Sequence, residues 1–101
     1  MKLQTKREGR SLEILLAGEL DHHGAKGLMQ RLDQEIEAGL PLQLTLDFSG
    51  VSFMDSSGIA VVMRCRQRMR ELGGSVKLCK AAPQPRKVLE AAGIQRIVEM
   101  K

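Results

Sequence analysis

"LQLTLDFSGVSFMDSSGIAVV", Leu42 to Val62, carries two incompatible periodicities separated by a polar break. At its start Leu42, Leu44, Leu46 and Phe48 alternate with Gln43, Thr45 and Asp47, a period of two that fits a strand and not a helix. Beyond the break, the spacing predicts a helix over Ile59–Leu72 that buries Ile59, Val62, Met63, Met69 and Leu72 and closes at Gly73-Gly74. Phe48 to Gly58 then leads from sheet to helix at the carboxyl end of a parallel strand, where open α/β sheets place their working loops.

Working outward, "GAKGLMQRLDQEIEAG" sets Ala25, Leu28, Met29, Leu32 and Ile36 on one helical face, with Gly39 as the expected stop. Before it, Leu3–Arg7 and Leu12–Ala17 flank the turn residues Glu8-Gly9-Arg10 and predict a hairpin. After the second helix, "SVKLCK" reads as a short strand with Val76 and Leu78 on one face and Lys77 on the other. Pro83 and Pro85 fit the start of a third helix, where a missing N–H costs little; Val88, Leu89 and Ala92 follow, Gly93 ends it, and "IQRIVEM" reads as a final strand. The order β-β-α-β-α-β-α-β predicts one α/β domain over residues 1–101: a mostly parallel sheet in sequential strand order, with an N-terminal hairpin strand and right-handed crossovers. Because Leu42–Phe48 and Ser75–Lys80 each keep a polar face, the helices are expected mainly on one side of the sheet, with the other side partly wet.

Composition narrows the function. A chain of 101 residues with 43% hydrophobic and 28% charged residues supports one folded core, built without aromatics except Phe48 and Phe53. The net charge of +4 is densest in "RCRQRMR", but Arg64, Arg66, Arg68 and Arg70 scatter around a helix at 100° per residue. With no interleaved aromatics to stack on bases, this reads as a solvated face, and no direct nucleic-acid contact is expected. Cys65 and Cys79 have no C-x-x-C partner and no histidine at metal spacing, so they read as small, buried, reduced residues. "MKLQTKREGR" lacks an apolar signal core and no long apolar run follows, so a cytoplasmic protein without a membrane span is expected.

The Asp55-Ser56-Ser57-Gly58 break admits several chemistries. As a helix start, one side-chain oxygen would cap an orphan N–H, worth about 1 kcal/mol, and Ser57 is the expected cap. Hydrolytic catalysis is disfavoured, because the only histidines are His22 and His23 and Met54 stands where a nucleophile elbow needs glycine. No phosphate-wrapping G-x-x-x-x-G-K-[ST] run is present, and neither a cofactor nor a metal is expected. Covalent modification fits best: a helix N-terminus tolerates a phosphoserine charge of about −2, so the consequence would fall on a docked partner and not on the fold. A second loop, "GELDHHGA", leads from the second strand into the first helix; Asp21 is placed to cap that helix, and the adjacent His22 and His23 read as surface. In a sequential parallel sheet the two loops share one end.

"GELDHH", "DFSGVSFMDSSGIAVV", "LGGSVKLC" and "VLEAAGIQRIVEM" together resemble the STAS family of anti-sigma factor antagonists, the "DHH" extension favouring its sporulation branch. The resemblance covers nearly the whole chain and implies a partner-switching protein that is a substrate and not an enzyme. Its unmodified form would bind an anti-sigma factor that is also an ATP-dependent serine kinase, freeing a sigma factor; phosphorylation would release it and a serine phosphatase would reset it. By motif position the acceptor is Ser56, flanked by the acidic Asp21 and Asp55. The implied docking surface is Asp21, His22, Gly24, Met54, Asp55, Ser56, Ser57, Gly58 and Ile59, with Ile59 an apolar contact at its rim. Within the same family the alternative is an unphosphorylated interaction module of a stress-signalling complex or a lipid-transport machine. Relatives of this type extend past the last strand into another helix, which implies a less covered flank here, where the sequence ends at Lys101.

Overall fold

In the computed structural model, which describes residues 1–101, the alternating run becomes β3 (Gln43–Met54), the middle strand of a five-stranded sheet. Around it are β1 (Lys2–Glu8), β2 (Ser11–Leu20), β4 (Ser75–Cys79) and β5 (Glu99–Met100), in the spatial order β1-β2-β3-β4-β5. β1 is antiparallel to β2 and all other pairs are parallel, so the expected hairpin and sequential sheet are both present. The crossovers are α1 (His22–Gly39), α2 (Ser56–Glu71) and α3 (Pro83–Ala91). No helix is long and apolar enough to cross a membrane.

Alternation decides which face of the sheet is covered. Leu12, Ile14 and Leu16 of β2, Leu44, Leu46 and Phe48 of β3, and Val76 and Leu78 of β4 form one buried cluster with residues of all three helices. Each such side chain contributes about 1.5–3 kcal/mol on leaving water, so this cluster supplies the main driving force for folding. On the opposite face Lys6, Glu13, Thr45, Lys77 and Glu99 stand in cross-strand register, a row of mixed charge suited to water. The expectation of helices on one side therefore holds.

Asp47 departs from its expected place on a wet face. It lies on that face but is only 3% exposed, in register with Leu15 and Cys79 and 3.8 Å from the Lys80 ammonium. Burial by itself would raise its pKa; hydrogen bonding from Ser49 and the Lys80 and Lys6 charges outweigh it and hold the carboxyl below its ordinary value. Burial pushes the Cys65 thiol up to about 12, which leaves it unreactive; Cys79, expected to be buried, is half-buried.

Element boundaries differ from expectation for local reasons. α1 runs through Gly39, and the left-handed terminal residue is Leu40 (φ 42°), because the Arg7 guanidinium occupies the space a Cβ on Gly39 would need. Leu42 precedes β3 and is 41% exposed, outside the buried row. α2 begins three residues before the expected Ile59, and its seat is Gly58, Val61, Val62, Cys65 and Met69. The small residues Gly58 and Cys65 pull that face around, so Met63 is 39% exposed while Ile59 and Leu72 are half-buried. The expected last strand is mostly a 3₁₀ turn, Ile94–Arg96, entered through Gly93 at φ 77°, which leaves β5 only Glu99–Met100.

Candidate functional site

The parallel register of β2 and β3 ends at Leu20↔Met54, and the Asp55 N–H still donates to the Leu20 carbonyl at 3.3 Å. The two strands thus deliver Asp21 and Asp55 to one end of the sheet, side by side, as the loop reading anticipates. Both aspartates are extended and both are N-caps: Asp21 Oδ1 accepts from the Gly24 N–H at 2.8 Å, and Asp55 Oδ1 accepts from the Ser57 N–H at 2.8 Å. The helix α2 is therefore capped by Asp55 and not by Ser57. A carboxylate is the better partner for the positive end of the helix dipole, and it leaves both serine hydroxyls without a hydrogen-bond partner in the protein.

Ser56 occupies the first position of α2 and is exposed, whereas Ser57 is half-buried. Ser57 lines a groove of about 600 Å³ between α1 and α2, with His22, Ala25, Met29 and Val61 among its walls. His22 and His23 stand exposed in the first turn of α1, as surface residues, and nowhere in the chain do three His, Cys, Asp or Glu side chains converge on a metal-sized site.

Two glycines let the loops approach this closely. A Cβ on Gly24 would collide with the Glu19 carbonyl oxygen, a backbone atom that cannot step aside. A Cβ on Gly58 would meet Met54 Cγ and Cε at 2.7 Å and Leu20 Cδ2 at 3.0 Å, so this glycine seats α2 directly on the paired strand ends. Met54 is wholly buried beneath the loop, and Ile59 packs half-buried against the core.

One positioning residue has no sequence signature. β4 pairs with β3 only as far as Asp47↔Cys79, so the last residues of β3 lack a strand on that side. Gln84, in the first turn of α3, fills the gap: its Oε1 accepts from the Met54 N–H and its Nε2 donates to the Met54 carbonyl, both at 2.9 Å. A side-chain amide here copies the two bonds of a β-ladder and fixes the backbone one residue before the Asp55 cap. Only the folded topology brings residues 54 and 84 together.

These features coincide with those of known proteins. The STAS domain family model matches residues 2–101. The anti-sigma F factor antagonist of Paenibacillus polymyxa is 29% identical over 100 residues, which cover 97% of this chain and 86% of that protein. The anti-sigma factor antagonist SpoIIAA in its unphosphorylated form superposes with a TM-score of 0.84 at 27% identity, covering 99% of this chain and 88% of that one. SpoIIAA in the phosphorylated form superposes with a TM-score of 0.75 at 27% identity, over 99% and 91% of the two chains. With the family match running from β1 through β5 and the hairpin-led sequential sheet in place, the chain belongs to the STAS domain family.

Proposed function

We infer that this chain is an anti-sigma factor antagonist controlled by phosphorylation of Ser56. The observation that carries the reading is the division of labour at the start of α2: Asp55 supplies the cap, so Ser56 is exposed with a free hydroxyl and no structural duty. Relatives named as anti-sigma factor antagonists, and the existence of SpoIIAA in both phosphorylated and unphosphorylated forms, support it. In the unmodified state, Asp21, His22, Gly24, Met54, Asp55, Ser56, Ser57, Gly58 and Ile59 form or support the surface that receives an anti-sigma factor. That partner is also a serine kinase, and its capture frees a sigma factor.

The kinase moves the γ-phosphoryl group of ATP to Ser56 Oγ: the new O–P bond forms as the bond to ADP breaks, and the hydroxyl proton passes to a base on the kinase. The helix N-terminus accommodates the added charge of about −2, which limits the cost to the fold. The partner has no such compensation. Two charges next to Asp55 at the centre of a closed interface must be desolvated or repelled, and a few kcal/mol of affinity is lost. A serine phosphatase then restores the binding form.

The test is Ser56→Asp. It is expected to weaken partner binding about a hundredfold, close to 3 kcal/mol, while shifting the thermal midpoint by less than about 4 °C. Unchanged affinity, or an unfolded variant, would contradict the reading.

A further inference from the structure

The basic run of α2 splits into two pairs with different surroundings. Arg64 and Arg68 turn toward α1, with Arg64 Nη2 at 3.1 Å from Asp33 Oδ2 and Arg68 Nη2 at 3.2 Å from Glu37 Oε1. Arg66 and Arg70 enter no ion pair and no side-chain hydrogen bond; each borders two adjoining surface depressions of about 770 and 330 Å³. Met63 lies in the first depression and Ile97 in the second, and these apolar side chains are 39% and 41% exposed. Unpaired guanidinium groups between exposed apolar side chains are what a docking surface offers and what a merely soluble face does not need.

The patch also has a fixed relation to the acceptor. Ser56, Ala60, Met63, Gln67 and Arg70 recur at i, i+4, i+7, i+11 and i+14 on α2, one helical stripe, and every member is exposed. Along the axis Arg70 lies about 21 Å from Ser56. An ordinary interface of about 800 Å² per partner is roughly 30 Å across, wide enough to cover both ends.

We propose that Met63, Arg66, Arg70 and Ile97 form a second docking zone that receives an acidic, partly apolar surface of the anti-sigma factor and steers it onto α2. The zone rests on the functional reading above and extends it away from the switch. Charge complementarity selects the occupant. A nucleic acid is the poorer fit, because Phe48 is buried and Phe53 sits at the far end of β3, leaving no aromatic beside these arginines. At physiological salt, charges are screened over about 8 Å, so a phosphate on Ser56 does not reach Arg66 or Arg70. The two zones therefore act on different rates: the arginines govern encounter, and Ser56 governs how long the complex lasts.

The test measures association and dissociation of the full chain with its ADP-loaded cognate anti-sigma kinase at about 50 and about 300 mM salt. Arg66→Glu with Arg70→Glu is expected to slow association about tenfold at low salt and flatten its salt dependence, with dissociation changed less than about twofold. Arg66→Gln with Arg70→Gln gives a smaller change in the same direction and guards against misfolding of the charge-reversed chain. Wild-type binding with unchanged association in both double variants overturns the docking zone and leaves the Ser56 reading intact. Absence of wild-type binding overturns both. Binding of a short random-sequence DNA duplex that the double variants lose, with kinase association unaffected, assigns the patch to nucleic acid and overturns the proposal.

Discussion

The two strand-to-helix junctions at the end of β2 and β3 are built to nearly the same plan, and their differences locate the switch. Each has a paired strand end, an extended aspartate as N-cap, and a glycine three residues further on, Gly24 after Asp21 and Gly58 after Asp55. At the first junction the glycine is held against backbone, and the exposed residues after the cap are histidines. At the second the glycine is held against side chains, the exposed residue after the cap is a serine, and Gln84 braces the strand from α3. A shared capping device thus frees a hydroxyl at one junction only, on a backbone fixed from outside its own loop.

The largest effect that separates the junctions is expected at the glycines. Gly24→Ala forces the Glu19 carbonyl to move and should cost about 2 kcal/mol after the gain in helix propensity, a fall in thermal midpoint of about 10 °C. Gly58→Ala meets a flexible thioether and a leucine methyl, and should cost about 1 kcal/mol or less. Equal losses in urea unfolding would mean that both loops yield alike.

Next comes the brace. Gln84→Ala orphans a donor and an acceptor on Met54 and should cost about 1–2 kcal/mol, with faster hydrogen exchange at the Met54 amide and unchanged exchange at Gly24 and Ala25. Gln84→Glu keeps the acceptor for the Met54 N–H and should restore protection of that amide in part. If exchange quickens equally at both junctions, Gln84 supports the whole fold and not the second loop.

The caps themselves should differ little. Asp21→Ala and Asp55→Ala are each expected to cost about 1 kcal/mol, and the asparagine variants much less, as chemical denaturation would measure. An Asp55→Ala loss near zero would point to a serine taking over the cap.

How far these junctions can be read from sequence depends on whether a feature is local. The face of α1 repeats at helical spacing, and the strict alternation of Leu44, Leu46 and Phe48 marks the covered face of the sheet, so both are legible. The second half of β3 is not. Ser49, Gly50 and Ser52 look like loop, and two register shifts against β2, between Leu15 and Ala17 and between Gly18 and Glu19, break the period of two. The site is legible as a motif, since Asp55, Ser56 and Ser57 announce a helix start, but three adjacent capping side chains leave the choice among them to backbone geometry. Gln84 and the burial of Asp47 belong to tertiary pairing and leave no local trace.

The smallest effect is expected away from both junctions, at Asp47 on the same strand. A carboxyl held below its ordinary value in the fold contributes stability that is present above the unfolded pKa near 3.8 and is lost as pH falls through the lower folded value. Asp47→Asn should flatten the acid limb of a stability–pH profile below about pH 4 and leave the response of either junction to substitution unchanged. A limb as steep as wild type would assign acid sensitivity to other carboxylates.

The central claim is that Ser56, and not its neighbour, is the residue acted upon. Incubation with the cognate anti-sigma kinase and ATP, followed by site-resolved mass spectrometry, tests it most directly. A single phosphate on Ser56, absent from Ser56→Ala and retained in Ser57→Ala, is the predicted result. A phosphate on Ser57, or none on either serine with an active kinase, would contradict it.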